Sequence, residues 1–270
     1  MISNEILSYF SKSHAQYIHA RGAIGTRVLI RQLNCQPDED ILEVGFGTGS
    51  TLAQIYSNNK KANLYGLEQS PLMYKKAKAR LKFSLIGNSI KLSLMKDKGQ
   101  FPFPTNSFDK IYSESVLGIQ EGDELVTLLN EIRRVLRPNG ILVMNETIWL
   151  DTTSINEIIY INEFCKRSFG IILSNSDYPY LKSWMDLFDN LNFHCISVIK
   201  LDDFQGALKS EFRFPYNFLS TVFTAIGKTR ASLSFSMRTE KKNYHQKTTQ
   251  INPDNKLLMG GIIFKVVNKK

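Results

Sequence analysis

Short apolar runs alternate with amphipathic stretches through the first half of the chain. Runs rich in Ile, Leu and Val are typical of buried strands, whereas apolar residues three and four apart are typical of helices. These patterns predict strands at residues 40–44, 64–67, 90–95, 108–112 and 141–145, and helices from residue 50 and over residues 71–82 and 124–136, the last ended by "PNG". Regular alternation of strand and helix indicates a parallel sheet.

The two ends of the chain depart from that alternation. Residues 3–33 predict one or two amphipathic helices, interrupted at Gly22 and Gly25. Residues 151–178 and 205–256 are predicted to be insertions. The other elements predicted here are a helix at residues 179–191 and strands at residues 193–201 and 257–267. We therefore predict an α/β fold with a Rossmann-like, doubly wound, seven-stranded, mostly parallel sheet, in which N-terminal helices and two insertions form a lid.

Length and composition agree with a single domain. A chain of 270 residues that is 43% hydrophobic can bury one sizeable core. Within residues 1–270 we expect an N-terminal helical cap (1–35), a central core (36–150) and the two insertions, which are placed to form a binding site or a lid.

The cysteines and the N-terminal residues narrow the cellular context. Cys35, Cys165 and Cys195 are odd in number and widely spaced, so they indicate neither a disulfide framework nor a zinc site. We expect reduced thiols and no bound metal. The N-terminal residues show no basic stretch followed by an apolar run, and no window is long enough to span a membrane. These features predict a cytoplasmic protein.

A glycine-rich turn in "ILEVGFGTGS" follows the first predicted strand. No frame of the turn has the third glycine that a dinucleotide site needs, and the Lys-Ser/Thr pair of a phosphate loop is missing. Gly45, Gly47 and Gly49 would instead let the backbone approach a ligand closely, because they carry no Cβ. Glu43, within the strand, supplies negative charge. The turn therefore favours a ligand that carries a positive charge.

Acidic residues follow the next two strands. Glu68 ends the second predicted strand, where a carboxylate can accept hydrogen bonds from a ribose diol. Asp97 follows the third, where a carboxylate can accept from an exocyclic adenine amine and the next backbone N–H can meet a ring nitrogen. Taken alone, each acid is also compatible with a strand end or a turn.

These segments together resemble the class I S-adenosylmethionine-dependent methyltransferases, in particular the small-molecule branch that includes ubiquinone and menaquinone methyltransferases. The motifs that carry the resemblance are "DILEVGFGTGS", "YGLEQS", "MKDKGQFPFPTNSFDKIYS" and "LLNEIRRVLRPNGILVMNE", and weaker similarity continues over "LKSWMDLFDNLNF". The resemblance implies S-adenosyl-L-methionine as cofactor and methyl transfer to a small molecule by in-line displacement. Such a reaction needs a base only if the acceptor must first lose a proton.

The resemblance also implies roles for individual residues. The residues expected to bind the cofactor are Glu43, Gly45, Gly47, Thr48, Gly49, Glu68, Gln69, Asp97, Lys98 and Ser113. The glycines would line the methionine part, Glu68 would bind the ribose and Gln69 would flank the adenine. Asp97 and the backbone of Lys98 would read the adenine edge, and Ser113 would lie near the methionine end.

Three positions depart from the family pattern. Phe46 replaces a small residue in the turn, Asn139 replaces the first glycine of "PGG", and Gly118 stands where many relatives carry histidine. The third departure removes a common candidate for a base. The resemblance therefore assigns no catalytic base to this chain.

The acceptor side of the site is less sharply defined by the sequence. The candidate residues are His14, Tyr17 and His19 on the N-terminal helices, Glu114 and Glu146 after the fourth and fifth strands, and Tyr160 and Tyr178 in the first insertion. Aromatic walls would suit an apolar or planar acceptor, but core packing explains these rings equally well.

All of the excess positive charge lies in the last quarter of the chain. Residues 1–204 carry 22 Lys and Arg against 22 Asp and Glu, whereas residues 205–270 carry 12 against 3. The basic residues of the second insertion are interleaved with aromatic ones. They could attract an anionic acceptor, acidic lipid or RNA, or form only a solvated surface.

Two further functions stay open at this point. An RNA-directed methyltransferase would use the basic second insertion, although the missing Asn/Asp-Pro-Pro-aromatic turn at "SESV" disfavours nucleic acid. A non-catalytic partner protein that only binds S-adenosylmethionine would retain the same motifs. The sequence also leaves open whether the chain forms a homodimer.

Overall fold

Strands and helices follow one another in the order that the apolar pattern predicts. The computed structural model of the protein describes residues 10, 12–16, 19, 21–96, 99–203, 215–252, 254 and 256–270. The strands are β1 (Asp40–Val44), β2 (Asn63–Glu68), β3 (Ile90–Leu94), β4 (Phe108–Glu114), β5 (Leu136–Trp149), β6 (Phe193–Lys200) and β7 (Met259–Asn268). The helices are α1 (Gly22–Leu33), α2 (Ser50–Asn58), α3 (Pro71–Phe83), α4 (Asp123–Val135), α5 (Ile155–Phe169), α6 (Leu181–Asn190), α7 (Tyr216–Leu233) and α8 (Phe235–Ile251).

The strands form one seven-stranded sheet in the order β3-β2-β1-β4-β5-β7-β6. The first five strands are parallel, and β7 runs antiparallel between β5 and β6. Val44 at the end of β1 lies opposite Leu67 of β2 and Ser113 of β4, so the carboxyl ends of these three strands meet at one edge. Strand order reverses between β1 and β4, and ligands bind at such switch points in open α/β sheets. The predicted fold class is confirmed.

Apolar side chains cover both faces of the sheet. Along β1, Leu42 and Val44 belong to one buried cluster and Ile41 to the other, because successive strand residues point to opposite faces. One cluster is closed by α4 and α6, and the other by α1, α2 and α3. Glu43 alternates with Leu42 and Val44, so its carboxylate enters the side of the sheet that α1 and α2 cover.

Local sequence explains where several elements begin and end. Ser70 caps α3 by accepting from the N–H of Met73, and Pro71 fits the first helical position. Ser154 and Glu157 form a capping box that starts α5. Asn139 has a φ of 60°, a conformation that Asn tolerates better than most residues, so it can replace glycine in the turn within β5.

Two boundaries differ from the sequence prediction. The expected interruption at Gly22 and Gly25 is wrong for Gly25, which lies buried inside α1. Arg21, with a φ of 56°, takes the left-handed conformation immediately before the helix, so the chain turns there instead. The predicted strand at 141–145 is longer, because pairing with β4 already starts at Leu136.

The segments predicted as insertions are largely helical where they are described. The first contains α5, and the second contains α7 and α8, while residues 204–214 lie outside the described part of the chain. Helix α7 packs against α2 and α3, and α8 packs against α7 and α5. Among the described helices, none is both long and apolar enough to cross a membrane.

Candidate functional site

The glycine-rich turn leaves β1 at the edge where the strand order reverses. Gly45, Gly47 and Gly49 have φ values of 74°, 51° and 74°, in the region that favours glycine. The Gly45 N–H donates to the carbonyl of Leu67 over 2.7 Å, which holds the turn against β2. A Cβ at Gly49 would lie 3.0 Å from Cβ of Ala77, whereas a Cβ at Gly47 would meet nothing within 4 Å. Gly49 is therefore required for packing on α3, and Gly47 faces open space.

A cavity of about 50 Å³ lies over this turn. It is bordered by the turn itself, the first residues of α2, the end of β4 and the N-terminal segment, which here means the described residues between positions 10 and 19. The lining residues are Gln16, His19, Glu43, Gly45, Phe46, Gly47, Thr48, Ser50, Thr51 and Glu114. Backbone, carboxylate, hydroxyl and imidazole groups thus converge on one small space.

Two acids of the cavity lie out of solvent. Glu43 is only 3% exposed, and its Oε2 accepts from the hydroxyl of Tyr112 over 2.8 Å. Burial raises the pKa of Glu43 well above its ordinary value, and the nearby charge of Glu114 raises it further. A cation in the cavity would relieve both effects, because it stabilises the ionised carboxylates.

Glu114 is the centre of a hydrogen-bond network. Its Oε1 accepts from the hydroxyl of Thr51 over 2.7 Å. Its Oε2 accepts from the hydroxyl of Thr26 over 3.0 Å and lies 3.1 Å from Nε2 of His19. On the other side of the ring, Nδ1 of His19 lies 3.1 Å from Nδ2 of Asn145. The network fixes the orientation of the imidazole against the cavity and ties the N-terminal segment to β4 and β5.

Glu68 ends β2 beside the turn. Its Oε2 accepts from the N–H of Gly47 over 2.8 Å, and its Oε1 accepts from the N–H groups of Gln69 and Ser70 over 2.9 and 2.8 Å. Burial raises the pKa of Glu68, and the three backbone donors oppose that shift. An ionised carboxylate offers about four lone-pair sites. The Glu68 carboxylate can therefore accept at least one further hydrogen bond from a ligand.

A buried arginine on α3 joins three separate parts of the chain. Arg80 is fully buried, and its Nε donates to the carbonyl of Thr48 in the turn over 2.8 Å. Its Nη2 donates to the carbonyl of His14 over 2.9 Å. Its Nη1 donates to the carbonyl of Ser220 and the hydroxyl of Thr224, both over 2.8 Å. The guanidinium thus connects the glycine-rich turn, the N-terminal segment and α7.

Glu146 organises the loop that follows β4. This fully buried carboxylate accepts from the N–H groups of Val116, Leu117 and Gly118 over 3.2, 3.1 and 3.0 Å. Burial raises the pKa of Glu146 to about 7, against the effect of these donors. A Cβ at position 118 would lie 3.0 Å from Oε2 of Glu146. This contact gives a physical reason for glycine at position 118.

Some predicted site residues lie away from the cavity. Ser113 is fully buried, and its hydroxyl is 3.5 Å from Oε1 of Glu146, so its side chain faces the interior. His14 stacks on Phe223, with ring centroids 4.3 Å apart, and its Nδ1 lies 3.0 Å from the Phe223 carbonyl. Burial lowers the pKa of His14. Gln69 is exposed beside Glu68, to which its N–H donates.

The predicted aromatic residues are not brought to the cavity either. Tyr160 is 63% exposed on the surface of α5, and Tyr178 packs against the apolar cluster that α4 and α6 close. Helical geometry explains the first case, since Ile158 and Ile161 take the buried face of α5. The expected aromatic wall thus finds no support in this arrangement. Tyr17, Asp97 and Lys98, also predicted for the site, lie outside the described residues.

Several residues of the site were missed by sequence reasoning. Thr51 follows the glycine-rich turn in the first turn of α2, and this position was a usable signal. Gln16 gave no such signal. Arg80 gave none either, because the sequence does not tell which basic residue of "KKAKAR" points inward. Within the described part of the chain, no group of three or more His, Cys, Asp or Glu could hold a metal ion.

The fold and the site together define a class of protein. A glycine-rich turn after β1 and an acid at the end of β2, in a sheet of order 3-2-1-4-5-7-6, are the arrangement of the class I S-adenosylmethionine-dependent methyltransferases. Residues 42–144 match the family model described as "Methyltransferase domain". This part of the chain is therefore similar to the methyltransferase domain that the model describes, and the fold agrees with that match.

Comparison with known proteins gives the same class. The chain is 33% identical over 139 residues to the uncharacterized methyltransferase YodH of Bacillus subtilis, covering 52% of this chain and 55% of the relative. It is 31% identical over 159 residues to a demethylmenaquinone methyltransferase of Geobacillus stearothermophilus, covering 58% of this chain and 65% of the relative. The chain thus spans only about half to two thirds of the length of these relatives.

One solved structure has a fold similar to that of this chain over most of its length. The geranyl diphosphate C-methyltransferase of Streptomyces coelicolor, in complex with geranyl diphosphate and S-adenosyl-L-homocysteine, superposes with a TM-score of 0.58. The match covers 90% of this chain and 78% of that chain at 13% sequence identity. At that identity the likeness shows the fold alone.

Proposed function

We propose that the protein transfers a methyl group from S-adenosyl-L-methionine to a small-molecule acceptor. The observation that carries the proposal is the pair of acids at the cavity, Glu43 and Glu114, beside the glycine-rich turn. Two carboxylates that face the same small cavity repel each other when both are ionised and favour a cationic ligand. The methyltransferase domain at residues 42–144 and the named methyltransferase relatives support the same reaction.

The residues of the turn fit the proposed cofactor. Gly47 leaves open space where a side chain would intrude, and Glu43 offers negative charge to an ammonium group. S-adenosylmethionine, when bound, supplies a methyl group on a sulfonium, which is a good leaving group. Gly45 and Thr48 also line the cavity, whereas Gly49 acts by holding the turn on α3. Orientation and exclusion of water are the contributions that these residues make to the reaction.

Glu68 is proposed to bind the ribose. Its carboxylate already orders the turn through the Gly47 N–H and retains capacity for another donor. Asp97 and the backbone of Lys98 stay predictions for the adenine, and so does Gln69. Ser113 is proposed to act indirectly, since its hydroxyl lies toward Glu146, which fixes the loop after β4.

The acceptor is proposed to enter beside His19, with Glu114 and Gln16 lining the same cavity. The contact between His19 Nε2 and Glu114 Oε2 makes Nε2 the protonated ring atom, and Nδ1 then carries the lone pair. Glu114 at Nε2 and Asn145 at Nδ1 therefore hold the imidazole in place as one wall of the proposed acceptor site, and no catalytic base is assigned. The N-terminal segment and α7 are proposed to form a lid on a single domain.

Other features of the protein stay predictions. These are an anionic acceptor, a homodimer and a cytoplasmic location.

The three cysteines are free, and burial raises the pKa of each thiol.

Titration calorimetry with S-adenosylmethionine, followed by an assay for S-adenosylhomocysteine in the presence of a metabolite extract, tests the proposal. We expect binding and extract-dependent product release. Glu68→Ala should weaken binding by about 1 to 3 kcal/mol, the cost of unpaired buried hydrogen-bonding groups. Glu163→Ala, on the exposed surface of α5, is the matched control and should leave affinity unchanged.

Each alternative function gives a different outcome. Binding without turnover would support a non-catalytic partner protein. Turnover only with RNA would support the nucleic-acid alternative. Absence of binding would contradict the proposed cofactor, and equal affinity of Glu68→Ala and Glu163→Ala would contradict the ribose role.

A further inference from the structure

The corner between α7 and α8 presents large apolar side chains to solvent. A single residue, Ser234, joins the helices, and its Oγ accepts from the N–H of Met237 to start α8. Leu233 and Phe235 flank this residue and are 77% and 79% exposed. Single exposed apolar residues are common, but two large ones that flank the same residue form one projecting apolar tip.

Basic residues continue from this tip along both helices. On α7, Leu233 shares a face with Arg230 and Ile226, which lie three and seven positions before it. On α8, Phe235 shares a face with Arg238 and Lys242, which lie three and seven positions after it. Arg230, Arg238 and Lys242 are exposed. The apolar tip therefore has a rim of positive charge on both sides.

Acidic residues do little to neutralise this surface. Residues 215–252 contain six Lys and Arg and a single acid, Glu240, whose Oε1 lies 3.1 Å from Nζ of Lys12. Lys76 on the adjoining α3 has a lowered pKa because of burial first and of the nearby charges of Arg230 and Arg80 second. Positive charges therefore crowd together on this side of the molecule and favour an anionic partner.

The combination of an apolar tip and a basic rim selects the kind of partner. Single-stranded nucleic acid is held by aromatic rings on which bases stack, and Leu233 cannot serve that purpose. At an anionic bilayer, leucine and phenylalanine enter the boundary of headgroups and acyl chains, while Lys and Arg remain among the phosphates. We propose that the α7–α8 corner docks the protein on an anionic phospholipid bilayer, with Leu233 and Phe235 inserted at the interface.

This docking surface is connected to the candidate site through α7. The helix turns Ser220 and Thr224 toward Arg80, and Arg80 binds the carbonyl of Thr48 in the glycine-rich turn. The corner and the cavity thus belong to one hydrogen-bonded unit.

Vesicle co-sedimentation of the full chain tests the proposal. We expect binding to vesicles of equimolar phosphatidylcholine and phosphatidylglycerol, little binding to phosphatidylcholine alone, and loss at high NaCl. The double variant Leu233→Ser/Phe235→Ser should reduce partitioning about tenfold or more, since it removes the apolar insertion. Arg238→Glu should reduce it about fivefold or more.

Matched controls lie at the other end of the sheet. Ile196→Ser removes a side chain that is 51% exposed on β6, and Lys182→Glu reverses an exposed charge on α6. Both should bind vesicles like the wild type, and thermal unfolding should show all variants folded. Equal binding to both vesicle types, or equal loss in the corner and control variants, would overturn the proposal. So would a solution dimer that the double variant dissociates, or binding to single-stranded RNA without binding to vesicles.

Discussion

The cavity over the glycine-rich turn and the α7–α8 corner carry charge in opposite ways. At the cavity, Glu43 and Glu114 are acidic and largely buried, and each is held by hydroxyl donors. At the corner, the charges are basic and exposed, and they surround apolar side chains. The buried acids can recognise a small cation by position, whereas the exposed bases suit an extended anionic surface. Arg80 links the two regions, because it binds both the turn and α7.

Removing that link should have the largest effect. Arg80→Met would leave the carbonyl oxygens of His14, Thr48 and Ser220 without this donor. Each unpaired buried acceptor costs about 1 to 3 kcal/mol, so we expect at least about 3 kcal/mol lower stability by chemical denaturation. We also expect weaker cofactor binding, since the turn loses its anchor. Lys78→Met, on the exposed face of the same helix, is the control. Equal stability and affinity of Arg80→Met and Lys78→Met would show that Arg80 does not anchor the turn to α7.

Glu146 should give a pH-dependent effect of similar size. The pKa of Glu146 is raised from 4.5 to about 7. A carboxyl with a raised pKa stabilises the fold below its unfolded pKa, and this contribution disappears as pH rises through the folded pKa. Between about pH 4.5 and 7 the wild type should lose about 3 kcal/mol that Glu146→Gln does not lose.

Comparison of these two proteins isolates the contribution of Glu146. The lowered pKa of His14 acts with the opposite sign, and it is common to both proteins. Urea unfolding at a series of pH values is the measurement. Parallel curves of unfolding free energy against pH for wild type and Glu146→Gln would contradict the raised pKa of Glu146.

The smallest effect is expected outside both regions. Tyr160 lies exposed on α5, so Tyr160→Ala should change stability by less than about 0.5 kcal/mol. The Michaelis constants for cofactor and acceptor should also stay unchanged. A raised Michaelis constant for the acceptor alone would contradict this expectation. It would indicate that Tyr160 contacts the acceptor, which requires α5 to move toward the cavity.

The residues of the candidate site differ in how far the sequence predicts them. Glycines at fixed spacing after an apolar run predicted the turn, and the acid at Glu68 was predicted from its place at the next strand end. Parallel strands bring such ends together whatever the surrounding helices do. Arg80 could not be predicted, since its role depends on which helix covers α3. Gln16 could not be predicted either, since its place depends on how the chain before α1 packs over the cavity. The same holds for the contact between the Ser113 hydroxyl and Glu146, while the expected place of Ser113 near the methionine end stays a prediction.

Glu43 is expected to make the cavity selective for the proposed cationic cofactor. Because its pKa is raised in the free protein, binding of a cation should release a proton, and affinity should increase with pH. Titration of S-adenosylmethionine at several pH values, in two buffers of different ionisation enthalpy, measures both effects. We expect proton release and rising affinity for the wild type, and weaker binding with a flatter pH dependence for Glu43→Gln. Binding by the wild type without proton release, or with the same pH dependence as Glu43→Gln, would contradict the account.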